Sequence, residues 1–328
     1  MVICRTPLRI SFFGGGTDYP IWYKEHGGSV ISATINKYSY ITARRLPPYF
    51  NYKHRIRYYQ QEEVNSLDEI KHPSVRECAR YLNFQDGIEV VHNADVPAQS
   101  GLGSSSTFTV GMLHALHTLQ NRMPTKRQLA MEAIHVEQDL IGEPVGSQDQ
   151  TAAAFGGINL IRFNGIREID VDPIILSQER LQKLQENLIL VFTGLSRAAS
   201  DVAKFQIAVT PHKAAELASM VKLCDQALNN LTNDRDSLDE FGRLLNEQWK
   251  IKRSLTEKIS TPEIDHLYEL GMKNGVLGGK LLGAGGGGFM LFYAPRERHN
   301  NIKAALFGSM FVPFRIEFTG SKIIYFSH

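Results

Sequence analysis

Apolar and polar positions along this chain follow two periods, and the places where the period changes divide it into elements. Residues 2–13 and the β-branched, aromatic run 27–45 read as long strands, and a third, short strand falls near 55–59. A helix is predicted over 74–82 and a strand over 87–92. Phe108, Met112, Ala115, Leu116 and Leu119 then recur at helical spacing, so residues 97–106 join a strand to a helix N-terminus. Thr125 caps a further helical stripe, Leu129, Ala133, Val136 and Leu140, which ends at Gly142 and Pro144. Residues 146–150 read as a polar turn that runs through small residues into a strand over 158–163. Past about residue 170 the texture changes. After a strand over 187–193, helical segments run roughly 198–231, 236–259 and 262–274. A glycine loop over 280–288 leads into another strand, and two short β-type runs, 311–318 and 323–326, close the chain.

This order predicts an α+β chain of two parts, 1–170 and a helix-rich 171–328. At 328 residues, 43% of them hydrophobic, it can build full cores. Lys plus Arg total 36 against 34 for Asp plus Glu, so no net field points to nucleic acid or to a membrane surface. No apolar run is long enough to span a bilayer and the first residues lack a signal-peptide layout, which makes the cytoplasm the expected compartment. Cys4, Cys78 and Cys224 are odd in number, far apart and without metal-ligand spacing, and read as reduced and structural.

Chemistry enters at residues 97–106, Pro-Ala-Gln-Ser-Gly-Leu-Gly-Ser-Ser-Ser. Glycines allow close backbone approach, the first helical N–H groups lack intrahelical partners, and the helix dipole favours an anion there. Ser104, Ser105 and Ser106 could add hydroxyl donors to a phosphate, or ligands to magnesium. The lysine of the usual P-loop is missing. Arg9 is a charge amid apolar neighbours and needs a partner, a phosphate or a carboxylate, while Asp18 could hold a substrate hydroxyl. Glu137 lies about 80° around its helix from Leu129, at about 100° per residue, on the border of the buried stripe. Asp149 is a candidate to accept or orient a hydroxyl proton. Four consecutive glycines, 285–288, suggest close approach to a ligand or to another backbone. A basic and aromatic patch, including Arg44, Arg45 and residues 52–57, fits either a solvated hairpin or a substrate phosphate. Taken singly, each of these residues also fits a structural role: a serine-capped turn, a structural ion pair, a boundary Glu, a turn-forming Asp.

Together, the three glycine-bearing segments, in this order and over this length, resemble the GHMP kinases, the superfamily named for galactokinase, homoserine kinase, mevalonate kinase and phosphomevalonate kinase. Residues 6–19 look like its first motif, 97–106 like its second and 280–288 like its third. The resemblance implies a two-domain fold, with an N-terminal ribosomal-protein-S5-like β/α domain and a helix-rich, ferredoxin-like C-terminal domain, and an active site in the cleft. It implies that Pro97, Ser100, Gly101, Leu102, Gly103, Ser104, Ser105 and Ser106 bind ATP, with Ser105 ligating Mg2+ beside Glu137. Asp149 would act on the attacking hydroxyl, assisted by Arg9; Gly15, Gly16, Thr17, Asp18, Arg197, Gly285 and Gly286 would contact the substrate. Arg197 and the patch over 53–57 are further candidates for a phosphate on that substrate.

The sugar kinases of the superfamily commonly read Gly-Glu-His-Thr-Asp where this chain reads Gly14-Gly15-Gly16-Thr17-Asp18, which implies a roomier substrate. This version, with residues 27–35 and 193–197, looks most like the D-glycero-D-manno-heptose 7-phosphate kinases, which phosphorylate the anomeric hydroxyl. The expected partners are then ATP and a sugar phosphate, with no nucleic acid and no membrane, and the chain a monomer or homodimer. Another sugar-1-kinase of fucose or galactose type, and a non-catalytic sugar and ATP sensor of the same fold, are the alternatives.

Overall fold

Two long strands carry the first half of the molecule, which the computed structural model describes over residues 1–165, 168–195 and 199–327. β1 (Val2–Phe13) is buried at all but two of its positions, so both of its faces are covered even though it carries Thr6, Arg9 and Ser11. A short helix, α1 (Pro20–His26), leads to β2 (Gly28–Arg45), which pairs antiparallel with β1 from Val2 opposite Ala43 to Phe13 opposite Ile31. The hairpin β3 (His54–Arg57) and β4 (Gln61–Val64) is followed by α2 (Pro73–Tyr81) and β5 (Ile88–Ala94). β5 pairs with the later part of β2 on one side and, in parallel, with β3 on the other.

Next come α3 (Ser104–Leu119), α4 (Lys126–His135) and α5 (Gln148–Phe155). These three helices and α2 cover one face of the sheet around Ile41, Val90, Val110, Leu113 and Ala133. β6 (Ile158–Phe163) pairs with the early part of β2, and β7 (Ile169–Pro173) with β6.

The second half begins with α6 (Gln178–Glu186), β8 (Leu188–Phe192), α7 (Ala199–Val209), α8 (Ala214–Thr232), α9 (Asp239–Leu255) and α10 (Pro262–Lys273). It ends with β9 (Gly278–Leu281), β10 (Phe289–Tyr293), α11 (His299–Ala305), β11 (Met310–Phe311) and β12 (Lys322–Phe326). Its four-stranded sheet runs β11-β8-β10-β9 and is antiparallel throughout, the order of a ferredoxin-like split unit with helices in two connections. Leu8, Ile10, Phe12 and Ile31 of the first sheet share one core with Phe241, Leu245, Leu291 and Tyr293 of the second half. Phe241 meets Phe12 and Phe13 edge-on at centroid distances of 5.3 and 5.2 Å.

Several elements depart from their sequence patterns. The expected helix over 198–231 is broken at residues 210–212, where Pro211 cannot donate to the helical ladder. The run 311–318 is strand only at Met310–Phe311, because Pro313 interrupts it; it makes one further bridge, Ile35 to Ile316. β12 pairs with β1, so the last strand of the chain completes the first sheet, and β7 crosses the expected boundary at 170. The Asp149 segment, expected as a turn, is the first turn of α5. A helix-start pattern, Ser147 followed three residues on by Gln150, is present there, but the Ser147 hydroxyl bonds Tyr23 and Gln138 instead of capping. Among the described residues no helix is long and apolar enough to cross a membrane.

The packing of α9 on β9 leaves no room at Gly278, where a Cβ would lie 1.9 Å from the Gly242 carbonyl oxygen. Gly278→Ala is therefore expected to lower stability by about 1–3 kcal/mol through overpacking. Urea unfolding checks it; an unchanged midpoint would show that α9 is free to shift.

Candidate active site

A cavity of about 550 Å³ opens between the halves. Its walls come from β1 (Arg9, Ser11), the following loop (Gly15, Gly16, Asp18, Tyr19), the 99–106 loop with the start of α3, residues 142–149, α7 (Ala203, Lys204, Gln206), Lys252 of α9, and Gly283 with Ala284. Gly101 and Gly103 hold the loop in left-handed conformation, with φ of 80° and 75°. Gly103 has a second reason to lack a side chain: a Cβ would stand 3.1 Å from Asp149 Oδ2 and 3.3 Å from Arg9 Cγ.

Arg9 finds the carboxylate its position demanded. Its Nε and Nη2 donate to Asp149 Oδ1 and Oδ2, both at 2.6 Å, and Nη1 donates to the Gly101 carbonyl at 2.7 Å. This is a two-bond, charge-assisted pair with little freedom, tied at the same time to the cradle backbone. Its Arg9 side chain is 4% exposed and that of Asp149 25%, so the aspartate is the member open to the cavity. Asp18 stands across from it, nearly buried; its Oδ1 accepts from the Gly16 N–H at 2.8 Å and its Oδ2 from the Gln148 N–H at 3.4 Å. Burial pushes the Asp18 carboxyl above its ordinary range, the charge of Asp149 pushes the same way, and the Gly16 N–H opposes them.

Glu137 is deeper than its helical angle indicated, fully buried in a π-helical turn over Val136–Ile141. It accepts hydrogen bonds from Ser106 Oγ at 2.7 Å, Thr109 Oγ1 at 2.8 Å and Gln150 Nε2. Ser105, expected beside it, is exposed on the cavity wall; the serine that meets Glu137 is Ser106, one residue on. Burial pushes the Glu137 carboxyl up to about 7. Glu143, on the cavity wall, is also raised by burial.

Other expected residues are placed differently. Thr17 is fully buried and donates to the Gly14 and Ser29 carbonyls, so it braces the loop from behind. Gly285 packs against Ile259, and the Gly286 N–H donates to the Ile259 carbonyl; it is Gly283 and Ala284 that face the cavity. Leu102 is a core residue whose carbonyl accepts from the Arg9 N–H, Ser100 is buried, and Pro97 is exposed away from the cavity walls. The patch over 53–57 lies on the β3–β4 hairpin, where Arg55 pairs with Glu89 and covers Phe50 and Tyr52. It does not reach the cavity. Arg197 falls outside the described residues. Sequence reasoning missed Glu143, Gln206 and Lys252. Lys252 carried a signal, since it interrupts the apolar stripe of α9 as Arg9 interrupts β1.

A glycine cradle at a helix start, facing a guanidinium-held aspartate across a cleft between a mixed sheet and a ferredoxin-like sheet, defines a nucleotide-dependent phosphotransferase. Residues 72–157 match the family of GHMP kinases N terminal domains, and residues 227–312 the family described as GHMP kinases C terminal. A D-glycero-alpha-D-manno-heptose 7-phosphate kinase of Campylobacter jejuni is 30% identical over 92% of this chain and 91% of its own. A galactokinase of Pyrococcus furiosus is 25% identical over 93% and 92%. Among solved structures, a D-glycero-D-manno-heptose 1-phosphate kinase from Bacteroides thetaiotaomicron superposes over the whole of both chains with a TM-score of 0.79 at 23% identity, a likeness of fold. The chain belongs to the GHMP kinase family and is an ATP-dependent phosphotransferase with an alcohol acceptor.

The residues present fit a magnesium ion held mainly through nucleotide phosphates. The side-chain donors at the cradle are oxygens, the three hydroxyls of Ser104, Ser105 and Ser106 with the buried Glu137 carboxylate behind them, and no cluster of three or more His, Cys, Asp or Glu stands ready among the described residues. Magnesium ordinarily takes one or two such carboxylates and completes its shell with phosphate and water.

The unfolded chain would ionise Glu137 near its ordinary value of 4.5, the folded chain near 7, so the folded state binds the proton more tightly in that window and stability falls as pH rises through it. Above about pH 7 the whole cost is present. Glu137→Gln is expected to raise the stability of the ligand-free protein at pH 8 by about 1–3 kcal/mol, the gain fading toward pH 4.5. Urea midpoints across pH read this directly; a less stable variant at pH 8 contradicts it.

Proposed function

We propose that this kinase transfers the γ-phosphoryl group of ATP to the C1 hydroxyl of D-glycero-D-manno-heptose 7-phosphate, giving the 1,7-bisphosphate. The observation that carries the reading is Asp149, held on two oxygens by Arg9 between the cradle and Asp18. Each Asp149 oxygen keeps a lone pair beyond its bond to Arg9, so it can accept from an acceptor hydroxyl and take its proton. Asp18 holds a neighbouring sugar hydroxyl, and the side-chain-free Gly15 and Gly16 leave room for a seven-carbon acceptor. The N–H groups at the start of α3 bind the phosphates. Ser106 and Glu137, with Ser105 on the wall, would hold the magnesium ion, which supplies charge neutralisation at the β and γ phosphates. The heptose is supported by the 30% identical relative and by the glycine-only form of the first loop.

An ADP-release screen over free and phosphorylated sugars tests the acceptor. Heptose 7-phosphate is expected to give the highest kcat/KM; equal turnover of free galactose, fucose or mevalonate overturns the assignment and returns a kinase of those substrates. Asp149→Asn is expected to fold and bind MgATP while kcat falls by about 10²–10⁴-fold. A near-normal kcat in that variant removes Asp149 from the chemistry.

A further inference from the structure

Two lysines of the second half line the cavity, the exposed Lys204 and the buried Lys252, and the mechanism above gives the buried one no task. Lys252 projects from α9 at 3% exposure, on the same face as Gln248 one turn earlier. Its Nζ donates to the Gly283 carbonyl, and among the described residues the ammonium has no other hydrogen-bond or ion-pair partner. An ammonium carries three donors, so two are left for an occupant of the cavity that Lys252 lines. Its surroundings repeat the signal. The Ser11 hydroxyl, also on the cavity wall, and both polar atoms of the Gln248 amide are buried without partners. Buried polar groups are as a rule satisfied, so the open donors of Lys252 and Ser11 on the cavity wall mark a place for a polar ligand.

The charges specify which kind. Arg9, Lys252 and Lys280 act on one another as like charges, with Asp18 and Asp149 among the groups that oppose them, and both Asp149 oxygens already accept from Arg9. Burial first, and then the charge of Arg9, pushes the Lys252 ammonium down to about 8, while Asp18 and Asp149 oppose the shift. An anion entering the cavity would relieve both the crowding of cations and the open donors. The position selects the anion. Gly283, whose carbonyl holds Lys252, packs so closely on the cradle that a Cβ there would lie 2.7 Å from Gly101 Cα. The Gly101 carbonyl in turn holds Arg9 at 2.7 Å. Lys252 and Arg9 are thus fastened to two touching loops, at the end of the cavity where Asp149 stands.

We propose that Lys252 is a second catalytic cation, donating hydrogen bonds to the equatorial oxygens of the γ-phosphoryl group while it passes from ATP to the acceptor. In that step the bond from Pγ to the β–γ bridging oxygen breaks with its electron pair staying on ADP. The acceptor oxygen bonds Pγ, its proton passes to Asp149, and Lys252 keeps all its protons. The proposal rests on the kinase reaction and on Asp149, and not on which sugar is the acceptor.

Lys252→Met and Lys252→Arg test it through turnover with the acceptor that the sugar screen returns, urea midpoints, and binding of MgADP with and without fluoroaluminate, a mimic of the phosphoryl group in flight that needs no acceptor. Lys252→Met is expected to lose at least about 10²-fold in kcat, keep its KM for ATP and its MgADP affinity within about 3-fold, and lose the tightening by fluoroaluminate. Lys252→Arg is expected to recover part of both. A Lys252→Met protein that keeps kcat within about 3-fold, or keeps the tightening, overturns the proposal. So does one that loses MgADP affinity as much as kcat, because Lys252 would then only support the loop. Should Lys252→Met not fold, the same tightening read in Lys252→Arg decides: present, it supports the proposal, and absent, it overturns it. Failure of the heptose assignment leaves the fluoroaluminate result intact, so the two readings fail separately.

Discussion

The pair Arg9–Asp149 is the constraint on which the site depends. A buried guanidinium costs several kcal/mol in desolvation unless its geometry is excellent and its remaining donors are used. Here two donors meet one carboxylate and a third meets the Gly101 carbonyl. That arrangement ties three separate pieces of chain together: the centre of β1, the first turn of α5 and the cradle. Gly103 shows how closely they are fitted, since its missing side chain is the space the pair occupies. A change in any one piece would strand a charge in the others.

The second constraint is backbone against backbone. Gly101 and Gly283 touch, and a Cβ on Gly288 would lie 2.3 Å from the Ser100 carbonyl oxygen. Gly285 and Gly287 press in the same way on Ile259 and Leu195. The four-glycine run therefore packs loop against loop, while the neighbouring Gly283 and Ala284 face the cavity. The entropy that glycines lose on folding is offset by letting the cradle and the third glycine loop meet without side chains between them. Phe241 inserted against Phe12 and Phe13 fixes the same approach from below, so the width of the cleft is set by the shared core.

Much of this was legible in the sequence, and the illegible part has identifiable causes. The long strands, the cradle at a helix start and the need of Arg9 for a partner followed from periodicity and from a charge in an apolar strand. The helical setting of Asp149 was hidden because Ser147 spends its hydroxyl on Tyr23 and Gln138 and leaves the helix start uncapped by a side chain. Glu137 lies deeper than its place at the border of the stripe indicated, because α3 and α5 cover that border and bring Ser106, Thr109 and Gln150 onto its carboxylate. Thr17 turned inward because its hydroxyl reaches both the local Gly14 carbonyl and, from β2, the Ser29 carbonyl, the second of which only the tertiary fold supplies. The meeting of Ser106 with Glu137, where Ser105 was expected, is a one-residue rotation at the first turn of α3 that no motif spacing resolves.

The two halves contribute different chemistry to one cavity. Carboxylates, cradle N–H groups and Arg9 come from the first half, with Glu137 buried behind them; Lys204 and Lys252 come from the second, with Lys280 buried behind the wall. The two buried lysines are held where burial weakens their charge, Lys280 against the Phe12 carbonyl and Lys252 against Gly283. A group buried in this way destabilises the empty fold and is relieved by an anion, whereas Glu137 is relieved by a cation. The ligand-free site thus stores opposite electrostatic deficits on its two sides. A bound metal–phosphate pair is the kind of ligand that answers both at once, because it brings the cation to the carboxylate side and the anion to the lysine side.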